Sequence, residues 1–402
     1  MQMRHGLAAL VALLVTGAVA SLGLDVRDVF ASAGDRPPTR REQLAEQARR
    51  AAMLADVDPA RWEGWEADGT AAFATPSDRL DRIRDGTPLA LPDDLLEGVL
   101  VLADGRRYRQ TRRAFESIVF PPDGVPASER GGEDEGGLAS GLANGDVTID
   151  AVIGADNRTT VAYGNYTQFP WRTVGTILVA QTDKAGFCTA ALISPRVAVT
   201  AGHCVYSQKT KAWSWNTWFS PGHRGRGSDR FPNGNPRPVV GLLSNTAWVN
   251  NADVDHDVGF LVLADQPQTA ALGYFGFMCK DTDDLEGGDI RILQYPGWQY
   301  SCAASPDPSG QCFAFQYRGQ STINDDCGNL LEHQVDTNPG SSGSPSYRFV
   351  NGDRRIFGPH AYGLSPCDSD DNKAVAMTSA KCKAACNLFA NFPSQYASRS
   401  CN

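Results

Sequence analysis

The chain has no cysteine before Cys188 and, between residues 25 and 145, no lysine. Its 402 residues include only six histidines and no Cys-x-x-Cys pair, and past residue 24 no apolar run is long enough to cross a bilayer. Each scarcity excludes something. Without Cys-x-x-Cys the common structural zinc frameworks fail, and the closest spacing, Cys382 and Cys386, has no matching histidine pair. No phosphate-cradling glycine loop with its lysine is present, so neither metal nor cofactor is expected. A formal charge of -9 argues against a nucleic-acid binder, which would carry a basic face. Six histidines leave a short search for any imidazole base.

The N-terminus carries Arg4 and His5, then nineteen uncharged residues, Gly6–Leu24, with Ala-Val-Ala at Ala18–Ala20. That pattern reads as a signal peptide over residues 1–20. The run is also long enough to act as an uncleaved anchor. Export agrees with the cysteines: ten of them, an even number, all from Cys188 onward. Up to five disulfides are expected there, with pairings the sequence leaves open.

The chain has two textures. Residues 40–57 have helical composition with alternating charge, and a short apolar run, a turn at Asp104-Gly105 and a basic strand follow near residues 98–110. Then comes ERGGEDEGGLASGLANGD, residues 129–146, which reads as an exposed, protease-sensitive linker. From about Val152, short β-rich runs alternate with Gly, Pro, Asn and Asp turns. Many short strands indicate a sandwich or barrel, and about 250 residues suits two small barrels packed together. The aromatic-then-basic stretch Ser214–Arg230 reads as a surface loop. Asn157 and Asn165 fit the glycosylation acceptor pattern, which bears only on a eukaryotic secretory route.

The stretch DTNPGSSGSP, Asp336–Pro345, reads by composition as a loop or linker. A serine there becomes a nucleophile only with a base and a group to orient that base. His203, in VAVTAGHCVY, follows a β-branched run and is flanked by small residues that leave its ring accessible. A Cys188–Cys204 bridge would pin the strands that carry it. Asp257, in DVDHDVGFLVL, opens an apolar run and would sit at the buried end of a strand, where it accepts an imidazole N–H. Asp255 is the nearby, more solvated alternative.

TAGHC, HDVGFLVL and GSSGSP, in that order and 54 and 85 residues apart, resemble the chymotrypsin-type serine endopeptidases. The match is closer to the glutamyl-endopeptidase branch, whose nucleophile motif ends Ser-Gly-Ser-Pro. VIGADNRTTV from Val152, QYPG at Gln294–Gly297 and GPHAYG at Gly358–Gly363 resemble that branch too. The resemblance spans about Val152 to Gly363. It implies an all-β fold of two six-stranded antiparallel barrels over residues 152–402, preceded by a small α+β pro-segment over 21–151. It also implies Ser342 as nucleophile, His203 as base, Asp257 as orienting acid, and the N–H groups of Gly340 and Ser342 as oxyanion hole. Ser341 and Ser344 are not assigned roles. Ser341 stands where many relatives of this type carry the aspartate that pairs with the freed N-terminus, so that switch is absent. By register, Thr337 and His360 fall where the glutamyl branch holds a substrate carboxylate. Asp336 falls at the pocket-base position that selects Arg and Lys. Glu (or Asp) is the expected preference and Arg/Lys the alternative.

The expectation is a secreted, monomeric zymogen that acts on proteins or peptides and binds neither nucleic acid nor, when mature, membrane. A catalytically silent binding protein is the rival of another class. An α/β-hydrolase esterase is excluded, since it requires Gly-x-Ser-x-Gly and another triad order.

Overall fold

Short runs rich in β-branched residues, broken by turn residues, set the architecture of the computed structural model. It describes residues 54, 57–62, 65–71, 98–103, 105–110 and 151–401, apart from 181–184, 215–216, 226–228, 265–266, 297–314, 365, 368–369 and 393–397. The expected signal peptide, most of the helical stretch 40–57, the linker 129–146, Gly297, Cys302 and Cys312 lie outside the described residues.

Three strands come early: β1 (Trp65–Thr70), β2 (Gly98–Leu102) and β3 (Arg106–Gln110). A two-residue β4 (Thr159–Thr160) follows. Next are β5 (Val174–Ala180), β6 (Ala185–Leu192), β7 (Val197–Ala201), β8 (Tyr206–Ser207), β9 (Ala212–Trp213), β10 (Trp218–Pro221), β11 (Arg237–Asn245) and β12 (Val258–Leu263). The last group is β13 (Gly276–Phe277), β14 (Asp289–Gln294), β15 (Tyr317–Cys327), β16 (Leu330–His333), β17 (Pro345–Val350), β18 (Asp353–Tyr362) and β19 (Asn372–Val375).

Two rings result, as expected. The first runs β11-β10-β5-β6-β7-β12 and closes through β11–β12; the second runs β18-β17-β14-β15-β16-β19 and closes through β18–β19. Both rings are antiparallel throughout. Closure gives these short strands partners that an open sheet would leave out at its two edges. β7 (VAVTA) and β12 (VGFLVL) are buried along their whole length. The second barrel has its own core of Ile290, Ile292, Ile323, Leu331, Val335 and Phe357.

The apolar run and basic strand read from the sequence form the β2–β3 hairpin, which adds to β11 of the first barrel. The cysteine-rich tail forms a helix, α2 (Ser379–Ala390), preceded in chain order by the short α1 (Thr246–Asn251). Cys279–Cys382 staples α2 beside the second barrel, just after β13, and Cys386–Cys401 closes the tail on itself. Leu388, Phe389 and Phe392 join the large core cluster, which draws on both barrels. A bridge also joins Cys327 to Cys367. Among the described residues no cysteine is free and no helix is long and apolar enough to cross a membrane.

Two buried histidines make the fold acid-sensitive. His223 is buried, its Nδ1 is 2.8 Å from Thr176 Oγ1, and burial, with Arg230 adding to it, pushes the imidazole down to about 3. His333 is also driven well below the ordinary range, by burial first and then by His360. The unfolded chain takes up these protons near pH 6.5 and the folded chain refuses them, so stability falls as pH drops below 6.5 and down toward the folded values. Each histidine contributes a slope of about 1.4 kcal/mol per pH unit. Urea melts at pH 7 and pH 5 should therefore differ by several kcal/mol, and His223→Asn should remove about half of that difference. An unchanged difference in the variant would refute this account.

Candidate active site

The strand VAVTA ends at Ala201, and the chain turns sharply through Gly202–Cys204, presenting His203 at the lip of the first barrel. That turn is held twice. Cys204 is bridged to Cys188 of β6, and a Cβ at Gly202 would come within 2.7 Å of Asp257 Oδ1, so the turn sits directly on that carboxylate. Asp257 closes the short turn Val254–His256 immediately before β12 and is fully buried. Its Oδ1 accepts the backbone N–H of His203 at 2.6 Å and its Oδ2 lies 2.7 Å from His203 Nδ1. A carboxylate accepts only, so Nδ1 carries the proton and Nε2 is left with its lone pair. Asp255, the sequence alternative, stays apart: burial and then Asp253 raise its carboxyl, and its oxygens border Gly328.

Tyr362, at the end of β18, is a group that sequence reasoning missed. Its ring is 6.2 Å from that of His203. Burial, and then the charge of Asp257, push its hydroxyl well above the ordinary phenol range. The hydroxyl is buried beside that carboxylate. An O–H dipole there moderates the negative charge facing the imidazole. Tyr362→Phe should strengthen that charge and shift the acid limb of the kcat/KM profile upward by about half a unit. A profile that keeps its shape would assign Tyr362 to packing alone.

The loop 336–345 belongs to the second barrel and is tied to the first through Thr189 of β6. Thr189 N–H donates to Ser342 O at 2.8 Å and Thr189 Oγ1 donates to Gly340 O at 2.9 Å. The Ser342 carbonyl also lies 3.9 Å from Cys204 Sγ, next to His203. So His203, Asp257 and Ser342 are brought together where the barrels meet. Among the described residues no hydrogen bond joins Ser342 Oγ to His203. The other two serines are engaged elsewhere: Ser341 Oγ donates to Gln294 Oε1 at 2.6 Å, and Ser344 Oγ donates to Ser341 O at 2.5 Å.

Two glycines shape the loop. Gly340 has φ +104°, and a Cβ there would lie 2.7 Å from the Phe187 ring. Gly343 has φ +84°, and a Cβ there would lie 2.1 Å from Thr200 Oγ1. Both the left-handed backbone and the lack of space require glycine. Among the described residues neither Gly340 N–H nor Ser342 N–H donates to a protein acceptor, which leaves both available to an incoming oxygen.

Beneath the loop, Thr337, His360 and His333 are fully buried. Among the described residues Thr337 Oγ1 has no hydrogen-bond partner. His333 Nδ1 accepts from Val335 N–H at 3.2 Å, so its Nε2 carries the proton, and that donor is also unanswered. The rings of His333 and His360 meet edge to face, centroids 5.5 Å apart. Buried polar groups are nearly always satisfied, so these two unanswered groups stand out. Nothing in the sequence singled out His333, a lone histidine at the end of a strand.

Asp336, also fully buried, has its carboxylate turned toward the segment ahead of the barrels. Oδ1 accepts from Ile153 N–H at 2.7 Å and Oδ2 from Asn157 N–H at 2.8 Å. Ala151 is clamped alongside: its N–H donates to Asn372 Oδ1 at 3.1 Å, and its carbonyl accepts from Thr337 N–H at 2.9 Å and Asn372 Nδ2 at 2.8 Å.

Two closed barrels, with a histidine–aspartate pair on one and a glycine-framed serine from the other set beside it, define the chymotrypsin-type serine peptidases. Residues 188–353 match the family model described as "Trypsin-like peptidase domain". The chain is thus similar, over those residues, to trypsin-like peptidase domains, and one curated relative bears the name glutamyl endopeptidase. It is 28% identical over 219 residues to "Glutamyl endopeptidase" of Bacillus licheniformis, covering 53% of this chain and 59% of that protein. It is 26% identical over 200 residues to "Extracellular metalloprotease" of Bacillus subtilis, covering 49% and 58%. The chain therefore spans less than two thirds of the curated relatives it matches. A solved structure titled "Structure of Glu endopeptidase in complex with MPD" aligns at TM-score 0.49 and 24% identity, covering 58% of this chain and 97% of that one. Among the described residues no intact ligand set answers to the metal in the second relative's name. The metal-ligand cluster among the described residues is Cys188, His203 and Cys204, and both sulfurs are consumed in a disulfide.

Proposed function

We propose that this chain is the precursor of a secreted serine endopeptidase that cleaves after Glu, or Asp, through an acyl-enzyme. The observation that carries this reading is the grip of Asp257 on both His203 N–H and Nδ1–H, which leaves Nε2 as the base beside Ser342. Ser342 Oγ attacks the scissile carbonyl as His203 Nε2 takes its proton. The carbonyl electron pair moves onto oxygen, where the Gly340 and Ser342 N–H groups receive it. Collapse expels the amine, which takes the proton back from His203. Water then repeats the sequence on the ester and frees the acid and Ser342.

Thr337 and His360 are the groups proposed to bind the substrate carboxylate, with His333 behind His360. Unanswered donors at Thr337 and His333 support an anionic ligand group. The engagement of Asp336 with Ile153 and Asn157 speaks against the Arg/Lys alternative. Residues 1–20 would direct export, and a cut would sever residues 21–151 from the barrels to give a mature end near Val152. The extracellular relative is consistent with export.

The test is labelling of protein cut before Val152 with a fluorophosphonate probe. The expected result is one adduct, mapped to Ser342 and lost after active-site alkylation of His203. Protein that folds yet stays unlabelled would favour a silent binding protein.

A further inference from the structure

A barrel strand needs a partner on each side, and β11 lacks one over half its length. Within the barrel it meets β10 only at Arg237 and Pro238, while β12 lines its other side from Val239 to Leu243. The remaining edge, Gly241–Asn245, is filled by β2 in an unbroken antiparallel register from Gly241↔Leu102 to Asn245↔Gly98. Ala103 N–H extends the pairing to Val240 O at 2.9 Å. All nine residues of β11 and all five of β2 are buried.

The fit extends to side chains. Gly241 lies directly under Leu100: a Cβ there would be 3.2 Å from Leu100 Cδ1 and 3.3 Å from Val262. Leu54, Val57, Trp65, Val99, Leu100, Val101, Leu102 and Tyr108 all belong to one core cluster with Leu242, Leu243, Phe260 and Leu261 of β11 and β12. Trp62 packs edge to face on Phe392 of the tail, centroids 5.5 Å apart, and Phe392 lies under the Arg196 guanidinium of the barrel. The outer strand β1, by contrast, is mostly exposed and pairs its acids with β3: Asp68 with Arg107, Glu66 with Arg109. The three-strand unit therefore ends the sheet with a charged, polar edge.

We propose that the unit built on β1, β2 and β3 stays docked on β11 after the chain is cut, so that the mature enzyme is a two-chain particle. This rests on the precursor reading above. A cut before Val152 falls 41 residues past the end of β3 and severs no strand pairing of this unit. The association is non-covalent by necessity, since no cysteine precedes Cys188. Removal of the unit would expose a strand edge and the apolar faces of Val99–Leu102's partners, a surface that soluble monomers avoid.

A site-specific protease recognition sequence is placed between Gly136 and Gly137 of full-length Ser342→Ala, which cannot cut itself. After cleavage, native gel filtration with intact-mass detection should show both fragments in one peak, and guanidinium should separate them. Leu100→Asp puts a charge into the shared core and should weaken the association at least about a hundredfold, releasing the N-terminal fragment; Trp62→Ala is the milder second variant. Separation of the unsubstituted fragments, with the barrel fragment still soluble and monomeric, overturns the proposal. The same cut in the chain retaining Ser342, probed with fluorophosphonate, reads the catalytic assignment independently. Co-elution without labelling would leave docking intact and remove the precursor-of-an-enzyme reading.

Discussion

Ser342→Ala should lower kcat about a million-fold on any peptide substrate, with KM little changed. The proposed mechanism gives the serine oxygen the bond-forming role, and alanine leaves only the oxyanion donors and binding to assist water. Asp257→Asn should cost about ten-thousand-fold. Its two oxygens each accept a hydrogen bond from His203, one from the main chain and one from Nδ1. An amide has one acceptor oxygen and must turn an NH2 toward one of those donors, which favours the wrong tautomer and rotates the ring away from Ser342. The two losses should not add, because both act on the same proton transfer. Near-UV circular dichroism should remain native for both. Residual activity above about one per cent in Ser342→Ala would place the nucleophile elsewhere. The buried, engaged hydroxyls of Ser341 and Ser344 leave no obvious substitute.

The proposed triad was read from its local chemistry. A small-residue turn after a β-branched strand, an aspartate opening an apolar strand, and a glycine-framed serine each announce themselves within ten residues. Tyr362 and His333 do not. Each is a single buried side chain whose meaning comes from a neighbour far along the chain, Asp257 in one case and His360 in the other. Asp336 was ambiguous for the same reason. Register puts it at the pocket base, but the N–H groups that engage its carboxylate lie 183 and 179 residues away. The β2–β3 hairpin could be read from its turn and alternation, whereas its docking on β11 could not. Strand pairing of such sequence separation leaves no periodic trace in either partner. Which cysteine holds the tail could not be read either, because Cys382 finds its partner Cys279 103 residues away along the chain.

The preference at P1 should be large and should survive loss of Asp336. A peptide series varied only at P1 is expected to give kcat/KM about a thousandfold higher for Glu than for Arg. Thr337→Val removes one hydrogen bond to a carboxylate, worth about 1.5 to 3 kcal/mol, so it should lower kcat/KM for Glu by about tenfold to a hundredfold and leave the Arg value unchanged. His333→Phe should also weaken Glu cleavage, by removing the N–H that lies behind His360. Asp336→Asn separates the two readings. If its carboxylate faced the substrate, the variant would lose Arg cleavage and little else. With both oxygens held by Ile153 and Asn157, the variant should instead loosen residues 151–157, lower stability, and reduce cleavage after every residue in parallel. Ala151 is clamped by Thr337 N–H and Asn372 in the same place, so the loosened segment and the pocket wall move together. A selective loss of Arg cleavage in Asp336→Asn would hand the pocket to the trypsin-like alternative, while a uniform loss alongside intact Glu preference assigns Asp336 to anchoring the segment from which the mature N-terminus is cut.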